Sequence, residues 1–249
     1  MENFKNKTVI VTGGSRGIGK TICIEFAKLG ANVIFNYARN HNEAKKTKEE
    51  IIKYGVTCEV IKCNLNDSEQ INNFFTEIES KYKSIDILVN NAASGVNKKS
   101  YELEIKHWDW TYNINAKAPW LLSVKSSKLM KNGGAIINIS SLGSQKVLPN
   151  YFLVGTSKAS LETITKYLAV ELAHKNISVN AISAGIVETE ALNSFPNKDE
   201  MLNSKKQNPV GRSVNTVDIA NLVLFLCTQK SEMIRGQTII LDGGYNLTN

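Results

Sequence analysis

The sequence predicts an α/β protein in which helices cover both faces of a parallel sheet. Short apolar runs of strand length alternate with longer segments of helical periodicity along the chain. The strand segments are almost entirely apolar, which is typical of strands buried on both faces, as in parallel sheets. These two observations favour a doubly wound arrangement of about seven strands, formed by a single domain over residues 1–249.

Each element of this pattern can be placed along the chain. Strands are predicted over residues 7–12, 32–37, 57–63, 85–92, 133–140, 177–185 and 237–244. Helices are predicted over 17–30, 41–55, 66–83, a long region ending near 131, 149–175 and 217–227. Because ligands of doubly wound sheets bind at the carboxyl ends of the strands, the loops that follow the strands are the candidate functional segments.

Composition and charge narrow the class of protein. The chain has 249 residues, 42% of them hydrophobic, which suffices for a large core. No stretch reaches the roughly 18 apolar residues of a membrane span, and no signal-peptide pattern is present, so a cytoplasmic protein is expected. The four cysteines lack metal-binding spacing, so no metal site is predicted. The net charge of +7 favours acidic partners or reflects solvated lysines, and no nucleic-acid motif is present.

The loop after the first strand has the glycine pattern of a dinucleotide site. TGGSRGIG (12–19) follows a strand and opens a helix, so backbone amides and the positive helix end can receive a pyrophosphate. A plain strand–helix turn is the alternative. The residues predicted to bind the cofactor here are Gly13, Ser15, Arg16, Gly17, Ile18 and Gly19.

The end of the second strand bears on the choice between NAD and NADP. It reads NYARN (36–40), with no acidic residue before Glu43 to bind ribose hydroxyls. Arg39 and Arg16 can approach a 2′-phosphate from two loops, and a guanidinium suits phosphate well. NADPH is therefore favoured, although Arg39 could also be an ordinary loop charge.

Five motifs in order resemble the short-chain dehydrogenase/reductase family. They are TGGSRGIG, NNAA (90–93), Asn115 in INAKA, Ser141 and Lys158, and the late GQTIILDGG (236–244) extends the likeness over the whole chain. The resemblance implies a Rossmann-type fold, a homotetramer or dimer, and a helix bend at Asn115. It also implies cofactor contacts from Asn64, Leu65, Asn91, Ala92, Ala93, Lys158, Gly185, Ile186 and Thr189.

The active-site signature departs from the usual family pattern. The family places a tyrosine four residues before the lysine, but Val154 stands there, and the proline-glycine after strand six appears as Ala184-Gly185. Tyr151 lies seven residues before Lys158. On a helix at 100° per residue, both spacings share a face with the lysine, but the phenol lies roughly 10.5 Å along the axis instead of roughly 6 Å.

This longer spacing is that of the family's enoyl-acyl-carrier-protein reductases. NNAASGV (90–96), HWDWTYNINAKA (107–118), ISSLGS (139–144) and NSFPN (193–197) further resemble the NADPH-dependent type III subgroup, the FabL type. The resemblance implies reduction of the trans-2 double bond of an enoyl thioester on acyl-carrier protein. Tyr151 would stabilise the thioester oxyanion, Lys158 would hold the nicotinamide ribose, and Ser141 would assist them.

Plainer interpretations stand beside these roles. Tyr151 could be a helix-start aromatic, Lys158 a surface lysine and Ser141 a capping hydroxyl. His107, Trp108 and Trp110 could shape a partner surface, although packing in the helical core is favoured. Residues 187–209 are interpreted as a lid, with Leu192 and Phe195 as acyl contacts and Lys205 and Lys206 near its mouth. A ketone or 3-oxoacyl reductase and a non-catalytic dinucleotide sensor are the alternative functions.

Overall fold

The computed structural model describes residues 3–187, 189 and 208–248 of the chain. The strands are β1 (Thr8–Val11), β2 (Asn32–Tyr37), β3 (Cys58–Lys62), β4 (Ile87–Asn90), β5 (Gly134–Ser141), β6 (Ile177–Ala184) and β7 (Thr238–Leu241). The α-helices are α1 (Gly17–Lys28), α2 (His41–Ile52), α3 (Ser68–Lys81), α4 (Ile105–Tyr112), α5 (Ala118–Leu129), α6 (Phe152–Glu171), α7 (Thr216–Leu226) and α8 (Tyr245–Thr248).

All seven strands form one parallel sheet in the order β3-β2-β1-β4-β5-β6-β7. The predicted doubly wound α/β fold is therefore confirmed. The strand order reverses between β1 and β4, and the crevice at the carboxyl ends of these two strands is where a doubly wound sheet binds its ligand.

Alternating strand residues divide the core into two layers. Val9 and Val11 of β1 pack on the face covered by α1, α2 and α7, whereas Ile10 packs on the face covered by α3, α5 and α6. This period of two is the geometry of an extended strand, and it explains why strands buried on both faces are apolar throughout.

A buried polar chain ties α6 to the middle of the sheet. The side-chain amide of Asn90 donates to Asn138 Oδ1 over 2.8 Å, and the amide of Asn138 donates to Thr165 Oγ1 over 2.8 Å. Buried amides need such partners, because an unmade hydrogen bond there is costly. This chain of hydrogen bonds therefore fixes α6 against β4 and β5.

Two predicted helices differ from the structure at informative places. The helix predicted over 149–175 begins only at Phe152, because Asn150 has a left-handed backbone (φ 58°) that breaks the helical path. Tyr151 is therefore the residue that caps α6, and its carbonyl accepts a hydrogen bond from Gly155 N over 2.7 Å. The long helix predicted before residue 131 is interrupted by a π-helical segment, Asn113–Lys117, around Asn115.

The prediction that His107, Trp108 and Trp110 pack in the core is wrong for Trp108. This side chain is 43% exposed and stacks on the ring of Tyr112, with centroids 4.2 Å apart. The only residue that α4 buries fully is Thr111. Helix α4 therefore exposes the aromatic ring of Trp108 to solvent and buries the polar Thr111.

Most of the predicted lid, including Leu192, Phe195, Lys205 and Lys206, lies outside the described residues. Among the helices that the structure describes, none has the length and apolar character needed to cross a membrane.

Candidate active site

The loops after β1 and β4 are joined by one buried hydroxyl and one amide side chain. Thr12 Oγ1 accepts hydrogen bonds from the backbone amides of Asn91 and Ala92, each over 2.9 Å. The side chain of Asn91 donates back to the carbonyls of Thr12 and Gly13 over 2.8 and 3.3 Å. The predicted cofactor residues Gly13, Asn91 and Ala92 therefore lie together at the switch point of the sheet.

The glycines of this loop leave room that a side chain would fill. A Cβ on Gly19 would overlap the carbonyl oxygen of Gly13 and the amide nitrogen of Asn91. Gly13 and Gly17 have positive φ angles of 66° and 54°, which glycine adopts at no steric cost. The first amides of α1 have no partner within the helix, and Arg16 at its cap supplies no side-chain acceptor. These features fit a pyrophosphate group on the helix N-terminus.

The structure also describes the remaining residues predicted to contact the cofactor. Thr189 places its methyl group 3.6 Å from where a Cβ of Gly17 would lie, and Gly185 approaches Asp242 closely. Ser15 is buried, and Ile18, Ile186 and Asn64 are half-buried, whereas Ala93 is exposed. The Leu65 side chain is buried in the core, so it could offer a ligand only its backbone.

Arg39 is exposed just after the carboxyl end of β2, the segment where the sequence predicts the 2′-phosphate. Its guanidinium carbon is 5.8 Å from the ring centroid of Trp110, a cation–π distance. The indole nitrogen of Trp110 in turn donates to Ser94 Oγ over 2.9 Å. Arg16 is exposed on the facing loop. Trp110 thus orients the arginine, a role that the sequence alone did not suggest.

Tyr151 and Ser141 meet at the carboxyl end of β5. The Tyr151 hydroxyl donates to Ser141 Oγ over 3.2 Å, and Ser141 Oγ also accepts a bond from Gly143 N over 3.3 Å. Ser141 is therefore both a capping hydroxyl and a partner of the phenol. Burial raises the pKa of Tyr151, and the hydrogen bond with Ser141 opposes this shift. The phenol is consequently a neutral hydrogen-bond donor at neutral pH.

Gly143 determines where the ring of Tyr151 lies. A Cβ on Gly143 would overlap the Cδ1 and Cε1 atoms of that ring, and a Cβ on Gly155 would approach the Gly143 carbonyl oxygen at 2.5 Å. Gly143 does not have a positive φ, so the constraint is contact with the ring and not backbone conformation. The turn after β5 can therefore support Tyr151 only with glycine at this position.

If Tyr151 has the catalytic role that the sequence predicts, Gly143→Ala should lower kcat by ~10-fold or more, because displacement of a reacting group by about 1 Å can cost up to ~10²-fold. NADPH binding, measured by fluorescence titration, should change little. In a Tyr151→Phe background the same alanine should cost much less turnover, since the displaced hydroxyl is already gone. Equal losses in both backgrounds would contradict the positioning of Tyr151 by Gly143.

Val154 fills the position where the family usually has its tyrosine, and it is covered there. Its side chain is buried, and a Cβ on Gly95 would overlap the Val154 Cγ2 atom. The loop after β4 thus packs directly on this valine. A polar hydroxyl is absent from the position, and the neighbouring backbone occupies the space that a larger side chain would need.

Lys158 of α6 is a buried lysine. Its Nζ donates to the carbonyl oxygen of Ile139 over 2.7 Å, which uses one of the three ammonium protons. Burial lowers the pKa of Lys158 from its usual 10.5 to about 8, and the negative charge of Glu162 opposes that shift. The surface-lysine interpretation is wrong, because Lys158 is only 4% exposed.

Asn115 supports the loop that carries Gly95. Its side-chain amide donates to the Ser94 carbonyl over 2.8 Å and to Ser157 Oγ over 3.0 Å, while its Oδ1 accepts from Ser94 N over 2.9 Å. The π-helical turn brings this side chain inward, as such turns often do at functional sites. At Asn115, where the resemblance implies a bend, the structure shows this π-helical interruption.

Comparison with known proteins identifies the family. The family model described as Enoyl-(Acyl carrier protein) reductase matches residues 13–246. The chain belongs to the short-chain dehydrogenase/reductase family. This short-chain dehydrogenase/reductase is therefore an oxidoreductase in class.

Individual relatives cover nearly the whole chain. A 1-cyclohexenylcarbonyl-CoA reductase of Streptomyces collinus is 32% identical over 247 residues, 98% of this chain and 88% of that protein. A 3-oxoacyl-[acyl-carrier-protein] reductase FabG of Staphylococcus epidermidis is 36% identical, covering 96% and 98%. The solved angucycline C-6 ketoreductase LanV with bound NADP has a TM-score of 0.90 at 29% identity, covering 98% and 97%.

Proposed function

We propose that this short-chain dehydrogenase/reductase uses NADPH to reduce the trans-2 double bond of an enoyl thioester carried by acyl-carrier protein. The observation that carries the proposal is the placement of the hydroxyl groups. The only phenol in contact with Ser141 among the described residues belongs to Tyr151, and Val154 under Gly95 fills the position four residues before Lys158.

The chemistry requires stabilisation of charge on the thioester oxygen. Addition of hydride at the β-carbon of an enoyl thioester moves an electron pair through the conjugated system onto that oxygen, and the α-carbon then takes up a proton. NADPH supplies the hydride when bound. The single proton of the Tyr151 hydroxyl, which bonds Ser141 Oγ in this structure, would turn to the thioester oxygen when the substrate binds. Such preorganised donors give the largest electrostatic contributions to catalysis.

Lys158 and Ser141 support this donor. The ammonium group has two protons beyond the one bound by Ile139, which suits the ribose hydroxyls of the nicotinamide nucleotide. Its positive charge also favours the developing oxyanion. Ser141 holds the phenol in place, and its own hydroxyl proton is available to the substrate oxygen.

Arg39→Leu is expected to weaken NADPH binding by ~10–100-fold, the value of one or two charge-assisted hydrogen bonds to a phosphate. NADH lacks the 2′-phosphate, so its binding should change less than threefold. Dissociation constants for both cofactors, measured by fluorescence titration, check the ratio. Trp110→Leu should reproduce part of the NADPH effect, with the exposed Trp108→Leu as its control. If Arg39→Leu weakens the binding of NADPH and of NADH equally, Arg39 does not contact the 2′-phosphate.

A second candidate is reduction of a 3-oxoacyl thioester or another ketone. The FabG relative at 36% identity and the ketoreductase LanV favour it, and these named activities fit it better than enoyl reduction. The Streptomyces collinus relative, by contrast, is named for a 1-cyclohexenyl group on a thioester carbonyl. In a ketone reductase, Tyr151 or Ser141 would have to protonate the alkoxide in place of the missing tyrosine.

NADPH consumption by the purified protein decides between the two candidates. A short trans-2-enoyl thioester and the matching 3-oxo thioester are compared at equal concentration. We expect the enoyl compound to be turned over at least ~10-fold faster, because each ~1.4 kcal/mol of selective oxyanion stabilisation gives a factor of ten. Turnover of the 3-oxo compound alone would refute enoyl reduction. Binding of NADPH with no turnover of either compound would favour a non-catalytic sensor.

The surface around the site supports the proposed partners. Lys98 pairs through its backbone with Tyr151, and both Lys98 and Lys99 are exposed, so an acidic carrier protein would be attracted to this entrance. Exposed apolar side chains on α4, α5 and α6 suit the proposed homo-oligomer. They are Ile105, Trp108, Trp120 and Phe152.

A further inference from the structure

Glu162 is a buried carboxylate with no role in the chemistry described so far. It lies on α6 one turn after Lys158 and is only 9% exposed. A buried carboxylate is retained only where hydrogen bonds and opposite charge compensate for its lost hydration. The groups that compensate Glu162 therefore indicate what it does.

The hydrogen bonds of Glu162 enclose the turn that carries Ser141. Glu162 Oε1 accepts from Ser140 Oγ and from Ser144 Oγ, each over 2.5 Å. Ser140 directly precedes Ser141, and Ser144 ends the 3-10 turn that follows it. Ser144 Oγ also lies 2.7 Å from the carbonyl oxygen of Ser141. One carboxylate thus holds the chain on both sides of the serine that contacts Tyr151.

Three consecutive residues at the end of β5 are each held by a different side chain of the α6 segment. Lys158 binds the carbonyl of Ile139, Glu162 binds the hydroxyl of Ser140, and Tyr151 binds the hydroxyl of Ser141. The position of the phenol relative to the ammonium group therefore depends on these three contacts between the end of β5 and the α6 segment. Glu162 forms the middle one of these contacts, with Ser140.

Glu162 is also the negative charge that acts on Lys158. Strands β5 and β6, on which α6 packs, carry no ionisable side chain in their sequences GAIINISS and ISVNAISA. The charged side chains on the other helical segments beside α6 are exposed or half-exposed, among them Lys106, Asp109 and Lys117. A carboxylate beside a buried ammonium group favours its charged form.

We propose that Glu162 is a positioning residue of the active site: its carboxylate holds the Ser140–Ser144 turn, so that Ser141 meets Tyr151, and it keeps Lys158 charged. The inference rests on the proposed roles of Tyr151 and Lys158 and extends them to a residue that touches neither substrate nor cofactor. It has two separable parts, because hydrogen bonding acts on the turn whereas charge acts on the lysine.

Three variants separate these parts. Glu162→Gln keeps the size and an acceptor oxygen but removes the charge, and Ser144→Ala keeps the charge but removes one contact to the turn. Glu171→Gln is the matched control, because Glu171 is exposed at the far end of the same helix. NADPH affinity is titrated from pH 6 to 9.5 by fluorescence, which needs no substrate. kcat and KM are then measured with whichever thioester the protein reduces.

In Glu162→Gln, the pH at which NADPH affinity is half lost should fall by ~1 unit, since an adjacent opposite charge shifts a pKa by at least that much. Its kcat should fall by ~10–100-fold. Ser144→Ala should lose up to ~10-fold in kcat with no shift in the pH midpoint, and Glu171→Gln should match the wild type.

An unshifted pH midpoint in Glu162→Gln would overturn the charge part, and wild-type kcat would overturn the positioning part. Lower thermal stability with both values unchanged would show a purely structural residue. If Glu162→Gln does not fold, the double variant Ser140→Ala/Ser144→Ala is measured instead, and wild-type kcat in it overturns the proposal. Failure of the enoyl assay would leave the NADPH titration readable, so the two proposals fail independently.

Discussion

Tyr151→Phe is expected to reduce kcat for a trans-2-enoyl thioester by ~10²–10³-fold, the usual cost of removing one donor to an oxyanion. The substitution removes the hydroxyl that bonds Ser141 but keeps the ring that packs on Gly143. NADPH affinity should stay within twofold of the wild type, because the phenol is not among the groups expected to hold the cofactor. Steady-state NADPH oxidation and fluorescence titration measure the two quantities.

The control for this substitution is Tyr167→Phe, which removes a phenol hydroxyl from the same helix where the side chain is 67% exposed. Ser141→Ala provides a second comparison. If Ser141 only holds the phenol, its loss should cost ~10-fold or less, since a neutral hydrogen bond contributes about 1 kcal/mol. Near-normal turnover in Tyr151→Phe with a large loss in Ser141→Ala would reassign the donor to the serine.

The fold was predictable because its signal is repeated many times. Apolar runs such as TVIV in β1 and ILVN in β4 can be buried on both faces only in a covered parallel sheet, and helical segments separate them regularly. Likewise, a glycine loop that follows a strand and opens a helix carries its own structural context. These are local patterns, and the structure reproduces them with small changes at the ends of elements.

The parts of the site that the sequence did not suggest depend on contacts between distant segments. Trp110 meets Arg39 across 71 positions of the chain, and Gly95 covers Val154 from the loop after β4. Neither pair has a sequence pattern of its own. Glu162 is different: it follows Lys158 by four residues, a spacing that places both side chains on one helical face. The sequence therefore contains the spacing, but the spacing indicates an interaction only once both side chains are known to be buried.

Tyr151 shows where the argument from helical periodicity is incomplete. Helical periodicity places it on the face of Lys158, yet the structure begins α6 at Phe152 because Asn150 is left-handed. The phenol is directed toward Ser141 by the turn at Gly143 and by packing at the helix start. Helical periodicity therefore does not determine the position of this hydroxyl, which depends on the loop and on the start of the helix.

Lys158→Met is expected to lower kcat/KM by ~10²–10³-fold, because it would remove both the proposed ribose contact and the positive charge proposed to favour the oxyanion. The side chain has a similar length, and the change leaves the Ile139 carbonyl without its donor. Lys166→Met, at an exposed position on the same helix, is the control. Its kcat/KM should stay within twofold of the wild type.

The pH dependence of the wild type gives the sharper test of Lys158. Burial holds its pKa at about 8, against 10.5 for the free side chain, so NADPH affinity and turnover should decline as the pH rises through about 8. Stability should change in the opposite direction. Between pH 8 and 10.5 the unfolded chain binds a proton at this lysine that the folded chain does not bind, and the free energy of unfolding therefore rises with pH across that window.

The size of the effect follows from the same two pKa values. The difference of 10.5 − 8 = 2.5 units corresponds to about 3 kcal/mol of unfolding free energy at 1.36 kcal/mol per unit. Other groups titrate in this range, so the quantity to measure is the difference between the wild type and Lys158→Met by urea denaturation at pH 7, 8, 9 and 10. We expect the wild type to gain stability relative to the variant as the pH rises, while its activity is lost. If the wild type instead loses stability relative to Lys158→Met as its activity is lost, the site unfolds at alkaline pH. That result would refute a buried Lys158 that titrates in the folded protein.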